Sequence, residues 1–165
     1  MEISVASGAI ANRFFVKEVF MQITSQAFTD GGKIPNKYTM YGENRIPPIH
    51  IEDVPEQARS LALIVDDPDA PKGTFNHWLL FNIDPKIRDI KEDCVPVMAS
   101  QGRNDFGEIE YDGPRPPSGE HRYFFKAYAL DTVLPLARGI KRDELDREMK
   151  DHILANATLM GKYSH

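Results

Sequence analysis

Leu61-Ala62-Leu63-Ile64-Val65, followed at once by Asp66-Asp67-Pro68-Asp69-Ala70-Pro71, decides how this chain is read. Five consecutive apolar residues between turn formers have the pattern of a central strand covered on both faces. Downstream, His77-Trp78-Leu79-Leu80-Phe81-Asn82-Ile83 is a second such strand, and His121 to Leu130 a third. In the third, alternation sends Tyr123, Phe125, Ala127 and Ala129 one way and Phe124, Lys126, Tyr128 and Leu130 the other. Upstream, Gln22 to Phe28 and Ile49 to Glu52 alternate as shorter strands. One helix is expected from Lys141, where Leu145, Met149 and Ile153 recur every fourth residue and Asp143 and Glu144 occupy the first turn. The tail from Ala155 to Tyr163 either continues this helix to Gly161 or forms a short closing strand. Together these segments describe a mostly-β domain with one or two peripheral helices.

The 165 residues suit one domain, which we expect over residues 21–165 behind a loose extension at residues 1–20. Arg13 and Lys17 interrupt the apolar residues of that extension, so it does not read as a secretory signal. No run reaches the roughly 20 apolar residues that span a bilayer, so no integral membrane segment is expected. The formal net charge of -5 argues against nucleic acid as a partner. The single cysteine, Cys94, cannot close an internal disulfide, and a reduced cytoplasm is the plain reading.

Polar clusters stand at the edges of the apolar strands. Asp66, Asp67 and Asp69 crowd the end of the first, where like charges need compensation. His77 opens the second. Gly113-Pro114-Arg115-Pro116-Pro117-Ser118-Gly119 runs into His121-Arg122-Tyr123, and alternation puts His121 and Tyr123 on one face with Arg122 on the other. A Pro/Gly loop of this kind can hold backbone N–H groups in a concavity suited to anions.

Asp67-Pro68-Asp69-Ala70-Pro71, His77-Trp78 and the run from Tyr111 to Tyr123 resemble the two motif regions of the phosphatidylethanolamine-binding protein (Raf kinase inhibitor protein-like) family. Asp30-Gly31-Gly32, Ile34-Pro35, Gly42-Glu43-Asn44 with Pro47-Pro48, and Asn104-Asp105-Phe106-Gly107 match its bacterial and archaeal branch. The resemblance covers roughly residues 21–163, with one departure at Glu110, where relatives have glycine. It implies a β-sandwich around a large central sheet and a ligand pocket formed by Asp67, Asp69, Pro71, His77, Pro114, His121 and Tyr123. It further implies a small phosphate-like or carboxylate anion as ligand, and a homodimer. On chemical grounds two imidazoles and a phenol supply donors, and Asp67 can fix an imidazole tautomer. Affinity should then rise as pH falls through the histidine range. A tight turn at Ala70-Pro71 is a candidate for a cis peptide.

The leading expectation is a binding or regulatory protein with no cofactor and no metal. The competing expectations are a hydrolase using the His/Asp pocket, and a protein–protein inhibitor of a kinase or protease with an unknown partner. No nucleophile elbow, Walker loop, paired-cysteine motif or HExxH occurs in the chain.

Overall fold

The apolar run at residues 61–65 becomes strand β3 (Ser60–Asp67), and all eight of its residues are buried. The computed structural model describes residues 20–165; the extension expected at residues 1–20 lies outside them except for Phe20. β3 is flanked by antiparallel β4 (Phe75–Ile83) and β7 (Glu120–Leu130). The edges are β6 (Ser100–Gln101) beside β4 and β8 (Ile153–Ser164) beside β7, giving the order β6-β4-β3-β7-β8. A smaller antiparallel sheet has the order β1-β2-β5, from Gln22–Thr24, Ile49–Glu52 and Asp89–Ile90.

Alternation builds the core on both faces of the larger sheet. Leu61, Leu63, Val65, Tyr123, Phe125, Ala127 and Ala129 meet Ile23, Ile49, Ile51 and Ile90 of the smaller sheet. This is the expected sandwich, with apolar burial between two sheets as its driving force. Ala62, Ile64, Leu79, Phe81 and Leu130 face the other way, against Leu145 and Met149 of helix α1 (Arg142–Met149).

Two local expectations are corrected. The first strand ends at Thr24, because Ser25 Oγ donates to the Pro48 carbonyl and accepts the Ala27 N–H, turning the chain. The helix ends at Met149, and the fourfold spacing that reached Ile153 was fortuitous. From Ile153 the chain pairs with β7 along its whole length, so the tail is a long closing strand. There Leu159, Gly161 and Tyr163 alternate into the sheet interior. Gly161 is required, since a Cβ at that position would press on Ile34 and Phe28.

Antiparallel pairing also places the chemistry. The end of β3 lies beside the starts of β4 and β7, with Asp67 opposite Phe75 and Asp66 opposite Phe124. Three clusters that are far apart in sequence therefore converge at one end of the sheet.

Candidate functional site

At that end a cavity of about 280 Å³ is bordered by Asp67, Pro71, His77 and His121 of the expected set. Phe75, Phe106, Arg115 and Pro117 complete most of its wall. His121 Nδ1 lies 2.7 Å from Asp67 Oδ2, and the other Asp67 oxygen accepts the Asp69 N–H at 2.8 Å. The carboxylate thus orients the imidazole while being oriented by its own turn. His77 Nδ1 lies 2.7 Å from the Asp112 carbonyl oxygen. A carbonyl can only accept, so Nδ1 carries the proton. Burial holds the His77 imidazole below its ordinary pKa, against the opposing pull of that carbonyl bond and of Asp67 and Asp112.

Neither Nε2 has a hydrogen-bond partner among the described residues, and neither is sealed among the buried unpartnered atoms. Both are open to the cavity. Phe75, Phe106 and Tyr123 hold the His77 ring by tilted or edge contacts, with centroids 5.2, 5.5 and 5.3 Å away.

The remaining expected residues sit elsewhere. Tyr123 does not border the cavity but lies wholly buried behind the imidazoles. Its hydroxyl has no partner among the described residues, and the Arg115 backbone amide approaches without bonding geometry. Burial, reinforced by the charge of Asp67, pushes this hydroxyl well up, so it stays a protonated donor. Asp69 faces outward, where its oxygens accept the backbone N–H, Nε–H and Nη2–H of Arg122 at 2.9, 2.9 and 2.8 Å. Those bonds hold its pKa at about 2 and clamp the Asp/Pro turn to β7. Pro114 is buried outside the cavity, and its carbonyl accepts the Met40 N–H.

The Gly113 N–H, which the loop could have offered to an anion, instead donates to Asn44 Oδ1 at 2.7 Å. The loop's contribution is of another kind: the Asp112 carbonyl for His77 and the Arg115 side chain at the cavity wall. The Ala70–Pro71 peptide is trans, with no cis bond among the described residues. The Gly73 N–H reaches back to the Ala70 carbonyl, closing an ordinary turn with proline at its second position.

Sequence reasoning missed the support beneath His77. Asp112 is buried, and its carboxylate accepts from Asn44 Nδ2 at 3.0 Å and Asn104 Nδ2 at 2.9 Å. Asn104 also donates to the Glu110 carbonyl. Gly113 admits no side chain, because a Cβ would collide with the Tyr38 carbonyl. Asn44, Asn104 and Asp112 lay within the quoted motifs, but only their proximity reveals their task.

A two-sheet β-sandwich with a small cavity bordered by two histidines at one end of the larger sheet defines the class of fold. The chain belongs to the phosphatidylethanolamine-binding protein family, whose model matches residues 24–164. It is similar to a UPF0098 protein of Methanothermobacter thermautotrophicus, 47% identical over 87% of this chain and 98% of that one. A UPF0098 protein of Chlamydia trachomatis is 45% identical over the same shares. Among solved structures, a phosphatidylethanolamine-binding protein homologue from Chlamydia trachomatis aligns with TM-score 0.85 and 44% identity, over 88% of this chain and 98% of that one. Escherichia coli YbcL, described as a member of the mammalian family, aligns with TM-score 0.84 and 28% identity, over 89% and 99%. No helix among the described residues is long and apolar enough to cross a membrane.

Proposed function

We propose that this protein binds a small phosphate-like or carboxylate anion in the cavity between His77 and His121, as a binding or regulatory protein. The observation that carries the reading is the pair of imidazoles. Each is fixed through Nδ1 by a protein acceptor and leaves Nε2 open to one small cavity. His121, held through Nδ1 by Asp67, turns its other ring nitrogen to the anion. Arg115 adds a cation at the wall. The volume of about 280 Å³ suits a head group rather than a whole lipid or a drug-sized molecule.

Calorimetric titration of the intact protein with inorganic phosphate, phosphoethanolamine and acetate tests the reading. Saturable binding that is lost in Arg115→Ala together with His121→Ala supports it, and binding that survives both substitutions sinks it. Native mass spectrometry of freshly purified protein reports the retained anion and, in the same spectrum, the homodimer that belongs to this proposal. Cytoplasmic location, part of the same reading, is checked by fractionation of the source cells.

A further inference from the structure

We infer that the cavity selects an oxyanion that still carries an acidic hydroxyl, such as hydrogenphosphate or a singly protonated phosphomonoester, because His77 faces it as a hydrogen-bond acceptor. The inference rests on the anion reading above and specifies which form of the anion the site takes.

The argument is one of donor and acceptor matching. The peptide between Asp112 and Gly113 cannot turn. Asn44 and Asn104 hold the Asp112 carboxylate, Asn44 takes the Gly113 N–H, and the Asp112 N–H donates to the His77 carbonyl. The carbonyl that meets His77 Nδ1 is therefore a fixed acceptor, and the neutral ring must place its lone pair on Nε2. Donation from Nε2 would require an imidazolium in a site that is 97% covered, since His77 is 3% exposed.

The groups around the ring do not change this assignment. Asp67 from β3, and the Gly113 backbone and Asp112 from the loop, favour charge, but burial outweighs them. Phe75, Phe106 and Tyr123 present ring edges or faces, and His121 and Arg115 across the cavity are basic. A fully deprotonated anion would set an oxygen lone pair against the Nε2 lone pair. An anion with one hydroxyl gives that hydroxyl to His77 and keeps its charged oxygens for His121 and Arg115.

The test compares four probes on the intact protein by calorimetry. At about pH 8 inorganic phosphate retains a hydroxyl, whereas sulfate, dimethyl phosphate and the methyl phosphate dianion do not. A phosphomonoester regains one below its second pKa of about 6. Inorganic phosphate should bind at least about tenfold tighter than sulfate at pH 8, the penalty expected for a buried acceptor left unmatched. Between pH 8 and pH 5.5 the affinity of methyl phosphate relative to sulfate should rise roughly tenfold. Taking the ratio removes any pH effect that the two anions share. Dimethyl phosphate, a diester like a phospholipid head group, should bind no better than sulfate.

A flat methyl phosphate to sulfate ratio, or tight binding of dimethyl phosphate, overturns the hydroxyl requirement while leaving the anion site standing. Absence of binding by all four probes at both pH values overturns the anion site itself. Two further readouts separate His77 from the fold. In His77→Gln the cavity-facing amide can turn to offer either N–H or C=O, so the preference for phosphate over sulfate should fall to near parity. Nitrogen NMR of the free protein should show His77 protonated on Nδ1 and bare on Nε2, and the reverse tautomer overturns the inference.

Discussion

Among the described residues, one large and one small depression each contain a histidine paired with a carboxylate, and the larger is the poorer candidate for a site. The cleft over the small sheet has a volume of about 910 Å³ and is bordered by Tyr38, His50, Asp89 and Glu92. There His50 uses both ring nitrogens, Nδ1 with Asp89 at 2.6 Å and Nε2 with Glu52 at 2.9 Å. Nothing on that ring is left for a ligand. The smaller cavity, at about 280 Å³, keeps one nitrogen free on each of two imidazoles. The supporting carboxylates differ too. The side chain of Asp67 is 4% exposed and that of Asp89 is 69% exposed. Burial with an unfilled valence, not volume, distinguishes a recognition site from a solvated groove.

The largest difference should appear in stability. Asp112→Ala removes the carboxylate that accepts from half-buried Asn44 and from buried Asn104, which keeps only its carbonyl acceptors, at a cost of about 1–3 kcal/mol in urea unfolding. The equivalent removal in the open cleft, Glu92→Ala, breaks an exposed ion pair with Lys37 and a part-buried bond from Tyr38, and its effect should be smaller. Equal losses for the two variants would erase the contrast between the regions.

The next largest difference should appear in binding. His121→Ala removes an open nitrogen and strands the Asp67 carboxylate, so phosphate affinity should fall roughly 10–100-fold. His50→Ala removes a ring with no open nitrogen, so phosphate affinity should stay within about twofold. A comparable loss in His50→Ala would move the site to the large cleft.

The sequence exposed one of these regions far better than the other. Strand alternation alone placed His121 and Tyr123 on one face, and the apolar run at residues 61–65 announced the central strand. Bringing Asp67 and His77 beside them needed the antiparallel order of three strands, which the family motifs implied and pairing accomplishes. The clamp was illegible because it is tertiary: Asn44 and Asp112 are 68 positions apart, and asparagine in a loop ordinarily serves the local turn. Tyr123 shows the opposite failure, since alternation gave its face correctly but could not tell a residue behind the cavity from one in its wall. The tail stayed open between helix and closing strand for a periodic reason. A spacing of four fits two turns of strand alternation as well as one turn of helix, and only pairing with β7 distinguishes them.

The smallest effect sharpens the comparison from the side of the open cleft. The bond to Asp89, then that to Glu52, raises the His50 pKa above its ordinary value, although partial burial opposes them. A raised folded-state pKa means that the folded protein holds the proton more tightly than the unfolded chain. The contribution is therefore complete below the unfolded value near 6.5 and fades as pH rises through the folded one. The side chain is 35% exposed, so screening limits the effect to about 0–1 kcal/mol. In urea unfolding, the stability gap between the parent protein and His50→Gln should be widest near pH 6 and close towards pH 8.5, and it should narrow further with added salt. A gap that widens with pH would mean that His50 is held as a neutral ring. The open cleft would then resemble the buried cavity, where His77 is kept neutral by its surroundings, more than its exposure implies.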